Sequence, residues 1–376
     1  MTNPKTDLAE IFTRHLEHYE SRYAGDYDQR RAAWHIMDCR TAALGGHAGL
    51  CNACGHVQVH YNSCRDRHCP KCQTLTKERW LEKRKAELLP VHYFHVVFTL
   101  PHEINPLAAY HAKTVYDMLF RSASDTLKQF AKDRLKEEIG FMAILHTWDQ
   151  KLNRHIHIHC IVPAVCLNKK RYLFPVKALS LVFRGKFMED LKKSFRQGLL
   201  TSDGQMELIK SLWAKKWVVY AKPPFQKPED VLEYLGRYTH RVAISNNRII
   251  SLKDGKVTIA YRNRKAGTNE TLSLDAVEFI RRFMQHILPS GFMKIRSYGF
   301  LANRYKKQKI GQLREKLGLN PVVPEKAPRT IPEMMMDLTG KDITLCPVCG
   351  KGTLVPMAEF PNTRKTGKHR TAFAFG

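Results

Sequence analysis

The run His155-Ile156-His157-Ile158-His159-Cys160-Ile161-Val162 constrains the fold more than any other part of the chain. Side chains alternate across a β-strand, so the three histidines share one face while Ile156, Ile158 and Cys160 share the other. Such a strand packs an apolar layer on one side and presents imidazoles on the other. Imidazole is the commonest protein ligand for metals near neutral pH, and a rigid strand fixes the separation of two of them. The spacing predicts a strand whose polar face grips a divalent ion. A polar face simply open to solvent is the plainer alternative.

Ten cysteines form the second constraint. A reducing compartment keeps thiols free, so in a chain read as cytoplasmic they are metal ligands before they are disulfides. Cys51-Asn52-Ala53-Cys54-Gly55 and Cys69-Pro70-Lys71-Cys72 are two CxxC turns with fourteen residues between them. That is zinc-ribbon spacing, and it predicts one Zn²⁺ on Cys51, Cys54, Cys69 and Cys72. Cys64 and His68 lie between the turns, with His47 and His56 nearby. They are candidates for a second ion, for exchange with one of the four thiolates, or for supporting and DNA-contacting roles. Cys346-Pro347-Val348-Cys349-Gly350 has no matching pair downstream. It reads as a half-site closed by groups elsewhere in the fold, as a pair completed by His369, or as two free thiols. Cys39, Cys160 and Cys166 read as small buried residues.

Charge bounds the partner. Lys and Arg number 62 against 35 Asp and Glu, a formal net charge of +27. A surplus of that size calls for a polyanion, and nucleic acid leads. Arg65, Arg67 and Lys71 make the cysteine module itself basic. A membrane partner is not expected, because no segment approaches the roughly 20 apolar residues of a spanning helix. Lys5, Asp7, Glu10 and Arg14 interrupt any leader-like apolar core, so the chain reads as cytoplasmic. Its 376 residues, 43% of them hydrophobic, suffice for two or three domains with real cores.

Periodicity then places the motifs. Leu8, Ile11, Phe12, Leu16 and Tyr19 have helical spacing ahead of a Gly45-Gly46 stop. A charged helix follows from Thr74 to Leu89, then a strand from His92 to Leu100, helices from Asn105 to Leu135, a strand from Phe141 to Trp148, and the histidine strand. This is a mixed α+β pattern. Pro228-Glu229-Asp230 opens a further helix, with proline in the first turn and acids at the positive end of the dipole. Tyr234 and Tyr238 lie one turn apart on it, and Arg237 and Arg241 form a parallel pair placed for phosphates. Ordinary helix packing is the alternative for the tyrosines.

The order of these motifs resembles a known family. A cysteine module, then His92-Tyr93-Phe94-His95-Val96-Val97-Phe98-Thr99-Leu100-Pro101-His102-Glu103, His157-Ile158-His159, Tyr234-Leu235-Gly236-Arg237-Tyr238 and Ile295-Arg296-Ser297-Tyr298-Gly299-Phe300 are similar to the two-tyrosine HUH transposases of the IS91 type. The resemblance covers roughly residues 30 to 305. It implies a ferredoxin-like antiparallel sheet with the histidines on a central strand. It implies cleavage and rejoining of single-stranded DNA in rolling-circle transposition, with Tyr234 and Tyr238 as nucleophiles forming 5′-phosphotyrosine links. His157 and His159 match the paired histidines and would hold Mg²⁺ or Mn²⁺, with Zn²⁺ in the cysteine module; His155, Asp149 and His240 are candidates for a third ligand. The expected partners are single-stranded DNA at the element's ends and target and, since no GxxxxGK[ST] phosphate loop is present, a host helicase. The expected division is a helical and zinc-binding domain over 1–90, an endonuclease domain over 91–300, and a basic helix, proline linker and tail over 301–376. A non-catalytic zinc-dependent DNA-binding protein, and a related replication initiator or relaxase, are the alternatives.

Overall fold

The computed structural model describes residues 6–165, 174–225, 227–238, 242–263, 266–322 and 329–364. Along the chain α1 (Leu8–Glu20) and α2 (Tyr27–Asp38) precede β1 (Gly46–Cys51), β2 (Val57–Tyr61) and α3 (Gln73–Glu87). Next come β3 (Tyr93–Thr99), α4 (Asn105–Tyr110), α5 (Ala112–Leu135), β4 (Phe141–Trp148) and β5 (Arg154–Pro163). Then follow α6 (Val176–Arg196), α7 (Gln205–Ala214), β6 (Val218–Phe225), α8 (Pro228–Tyr238), β7 (Ile249–Lys253), β8 (Lys256–Asn263) and β9 (Thr268–Asp275). The remainder is α9 (Ala276–Met284), β10 (Ile295–Tyr298), α10 (Lys306–Lys316), α11 (Ile331–Thr339) and β11 (Leu354–Phe360). The class is α+β with antiparallel sheets, as the sequence pattern predicts.

Two compact units emerge, one comprising Met1–Glu82, His240–Ile287 and Lys326–Gly376, the other Lys83–Thr239 and Leu288–Glu325. This partition differs from the linear boundaries at 90 and 300 read from sequence. His240–Ile287 groups with the N-terminal segments, because β7, β8 and β9 form their own meander and α9 packs its apolar stripe on α1. There Phe12 meets Phe283 edge-on with centroids 5.5 Å apart.

The second unit carries the histidine strand. Its sheet runs β10-β4-β5-β3-β6, antiparallel throughout. Without the added edge strand β10, the chain order β3-helix-β4-β5-helix-β6 and the spatial order are those of a ferredoxin-like βαββαβ unit. The strand β5 alternates as its sequence dictates. Ile156, Ile158, Cys160 and Val162 join Phe94, Val96, Phe98, Ala143, Leu145 and Val219 in one buried layer under α5 and α6. Phe98, Phe183, Phe187 and Trp217 cluster there with centroids 4.9 to 6.4 Å apart. Each such side chain contributes about 1.5–3 kcal/mol on burial, so the packed face locks the register and with it the imidazole face. Cys160 is fully buried in this layer, the small core residue that the sequence suggested.

The run Ile295 to Phe300 has a structural explanation. Ile295 to Tyr298 pair with Ile144 to Phe141, Gly299 takes a positive φ of 58°, and a Cβ there would meet the Ile139 carbonyl oxygen at 1.7 Å. Only glycine fits that turn.

Candidate metal and tyrosine site

The polar face of the second unit's sheet gathers histidines from three strands. Register places His146 directly opposite His157, and Val97 and Ile144 opposite His159. Residues paired in this way share a face. His146, His157 and His159 each offer a ring nitrogen within 4.8 Å of the others. A register shift between His146 and Trp148 ends the regular ladder beside them, a common device for re-aiming a side chain at a site.

The donor set fits a divalent cation. His157 Nδ1 lies 2.9 Å from the His155 carbonyl oxygen and donates to it, a bond that orients the ring, as a metal-ligating imidazole requires. His146 and His159 are buried, at 4% and 7% exposure. Burial, reinforced by neighbouring imidazoles His146, His157 and His95, holds the His159 ring well below the usual histidine range and keeps it neutral, as a ligand must be.

The helix α8 lies over this face. Its buried residues Val231, Tyr234 and Leu235 follow helical i, i+3, i+4 spacing. Tyr234 Oη sits 2.8 Å from His159 Nδ1 and 2.9 Å from His95 Nε2, and the two imidazole nitrogens are 2.9 Å apart. Phe225 walls the phenol, with centroids 5.3 Å apart. Burial, then the charges of Lys222 and His157, bring His95 down to about 3, so at neutral pH its ring is uncharged. With His159 Nδ1 as donor to the phenol oxygen, the phenol hydroxyl donates to His95 Nε2.

Among the residues singled out from sequence, His157, His159 and Tyr234 are brought together. Tyr238 ends α8, but its side chain and that of Arg237 lie outside the described residues, as do His240, Arg241 and Cys166. His155 is exposed, and it serves the site through its backbone carbonyl. Asp149 is engaged otherwise: its carboxylate accepts from the Lys151 and Asn153 amides at 2.8 Å each and closes the turn between β4 and β5. The third imidazole is His146, which sequence reasoning missed, together with His95. The only local signal for either was a single histidine inside an apolar strand.

The cysteines require a correction. Cys51 and Cys54 do not meet Cys69 and Cys72. The latter pair groups with Cys39 and Cys64, all four sulfurs within 4.8 Å of one another, and Cys72 Sγ is 3.2 Å from Cys39 and 3.5 Å from Cys64. Cys39, read from sequence as a small buried residue, is therefore in the donor set because it closes α2 beside this turn. Hydrogen bonds from Cys64 and Cys69 bring its thiol down to about 7 and bonds from Cys39 and Cys64 take Cys72 lower still, while the same bonds push Cys64 and Cys69 up, so the four sulfurs share protons as a tightly coupled group. Four thiolates at these separations suit zinc. Cys51 and Cys54 face Cys346 and Cys349 instead.

His68 is not in either cluster. Its ring and amide bond Asp66, at 3.1 and 2.8 Å, while His35 bonds the other carboxylate oxygen at 2.9 Å. Burial alone would raise Asp66, but these bonds outweigh it and hold the carboxyl well below its ordinary range. The Asp66 amide in turn points at Cys64 Sγ, 3.5 Å away. Arg65 is exposed, whereas Arg67 is half-buried in the field of Asp66 and Asp28.

One strongly basic chain thus carries a ferredoxin-like sheet with three convergent imidazoles that could hold a metal ion next to a buried phenol, and, in its other unit, clustered cysteines. Family comparison accords with this combination. A family model described as "Transposase zinc-binding domain" matches residues 11–100, and one described as "Putative transposase" matches residues 140–309. The chain is 43% identical over 385 residues to "Putative transposase y4qJ" of Sinorhizobium fredii, covering 96% of this chain and 97% of that protein. It is 27% identical over 299 residues to the "Transposase for insertion sequence element IS801" of Pseudomonas savastanoi pv. phaseolicola, covering 75% and 72%. No solved structure matches. The chain belongs to the IS91 family of transposases and carries that family's N-terminal zinc-binding domain.

Proposed function

We propose that this transposase nicks and rejoins single-stranded DNA through a 5′-phosphotyrosine link, as in rolling-circle transposition, with Tyr234 a nucleophile. The observation that carries the reading is the Tyr234 phenol oxygen 2.8 Å from a ring nitrogen of His159, itself one of three convergent imidazoles. A divalent ion such as Mg²⁺ or Mn²⁺, held by His146, His157 and His159, would neutralise the phosphate oxygens and orient the scissile ester. The chain's own residues do the rest. The phenol has an ordinary pKa of about 10 and gives up its proton as it attacks; His95 Nε2, at bonding distance and uncharged, accepts its hydrogen bond and aims the oxygen. As the bond from Oη to phosphorus forms, the bond from phosphorus to the 3′-oxygen breaks; the phenol's proton passes to water, and the departing 3′-oxygen takes one up from water to leave as a hydroxyl. The ester bond is conserved, so a second 3′-hydroxyl can reverse the step without a nucleotide cofactor. Tyr234 is only 8% exposed, so this reading requires α8 to shift for a phosphate to reach the phenol.

In this reading Tyr238 is the second nucleophile, Arg237, Arg241 and Arg65 contact phosphates, the DNA partners are the element's ends and target, and strand separation is left to a host helicase. Incubation of the purified protein with Mn²⁺ and a single-stranded oligonucleotide carrying the element's end should give an adduct that survives denaturant. Mass spectrometry of its peptides names the attached residue. An adduct that persists undiminished in Tyr234→Phe combined with Tyr238→Phe would overturn the assignment.

A further inference from the structure

We infer that Cys51, Cys54, Cys346 and Cys349 form a second zinc site, a clasp that makes the segment from 329 to 364 an integral part of the N-terminal zinc-binding module. The family model for that module ends at residue 100, so half of these ligands come from outside it.

The two halves are the same device. Each is a CxxCG turn: the Gly55 amide bonds the Cys51 carbonyl at 3.1 Å, and the Gly350 amide bonds the Cys346 carbonyl at 2.9 Å. Both glycines take positive φ, 73° and 65°. Backbone amides aim at sulfur in each half, from Ala53 to Cys51 and from Gly352 to Cys349, both at 3.4 Å. Such bonds favour the thiolate. Across the halves, Cys51 Sγ to Cys349 Sγ and Cys54 Sγ to Cys346 Sγ are each 3.7 Å. Disulfide sulfurs stand about 2.05 Å apart, whereas four sulfurs at about 2.3 Å from one zinc stand roughly 3.8 Å apart in a tetrahedron. The separations are those of the metal site.

The seat for the returning segment is built to fit. β11 pairs with β1 from Gly46 opposite Phe360 to Cys51 opposite Leu354. A Cβ on Gly352 would strike Cys51 Sγ at 2.5 Å, and one on Gly45 would strike the Phe360 carbonyl oxygen at 2.4 Å. Beyond β11, the Arg364 guanidinium reaches Asp38 at 3.3 Å and lies 5.9 Å over the Trp34 ring, both on α2. Yet β11 itself buries little, its side chains being almost all exposed. Hydrophobic burial alone holds such a strand weakly, so the thiolates supply the attachment.

Zinc counting by elemental analysis of the full chain tests this independently of the tyrosine chemistry. Two zinc ions per chain are expected. Cys346→Ser with Cys349→Ser should leave one, and adding Cys51→Ser with Cys54→Ser should still leave one, since all four serve a single ion. Cys64→Ser with Cys72→Ser on that background should leave none. Retention of two ions after loss of Cys346 and Cys349, or loss of both ions in the four-serine variant, overturns the pairing. Wild-type protein gives a check free of folding defects. N-ethylmaleimide should spare Cys346 and Cys349 together with Cys51 and Cys54 while zinc is bound, and label all four once a chelator has stripped both ions. Labelling of Cys346 and Cys349 in the zinc-loaded protein sinks the clasp.

Discussion

At the scale of single residues, the arrangement separates groups that a sequence motif lumps together. His155 and His157 sit on the same strand face, yet one contributes a carbonyl and the other a ring nitrogen. His155→Ala should therefore leave the Mn²⁺ concentration for half-maximal adduct formation within about twofold. Removing an orienting partner of a metal ligand typically costs 10–100-fold in affinity, and removing the ligand His146 should cost at least that. A Mn²⁺ titration of adduct formation compares the two, and equal effects would contradict the placement of His146. The strand face that carries His157 and His159 and the helix that carries Tyr234 were legible from sequence because a period of two and a period of 3.6 are local properties, whereas singling out those residues rested on the family resemblance. His146 and His95 were not, because what brings them to the site is cross-strand register, set by the apolar layer on the far face of the sheet.

Individual elements show where local patterns sufficed and where they misled. The alternation in β5 and the stripe on α1 gave the strand and helix correctly. The cysteine spacing, in contrast, suggested a linear ribbon, whereas Cys69 and Cys72 group with Cys39 and Cys64, and Cys51 and Cys54 with Cys346 and Cys349, from which the whole of the second unit's chain separates them in sequence. One local cue distinguished them: Cys54 and Cys349 are each followed by glycine, whereas Cys72 runs straight into α3. Knuckles of one kind pair with each other. The edge strand β10 offers a test of the fold rather than of the chemistry. Gly299→Ala forces a Cβ into the Ile139 carbonyl in a left-handed turn, which should cost about 1–3 kcal/mol. Urea unfolding followed by tryptophan fluorescence measures it, and an unchanged midpoint would mean that the turn is not as described.

The whole molecule is first of all a polycation. With a net charge of +27, its hold on single-stranded DNA should fall steeply with salt. If about six phosphates are neutralised, a slope near −0.7 per phosphate makes the loss roughly 10²–10³-fold between 50 and 200 mM. Fluorescence anisotropy on a labelled oligonucleotide reads that slope, and a flat response would exclude phosphate contact as the main source of affinity. The threading of the chain matters as much as its charge. Strand β1 and the segment that completes its sheet are joined through cysteines 298 residues apart. A ribosome adding about 5–20 residues per second takes on the order of 15–60 s to cover that interval, during which the first module waits half-built. Nascent chains that stop before Cys349 can never close it, so the architecture couples maturation of the first module to synthesis of the chain through that residue.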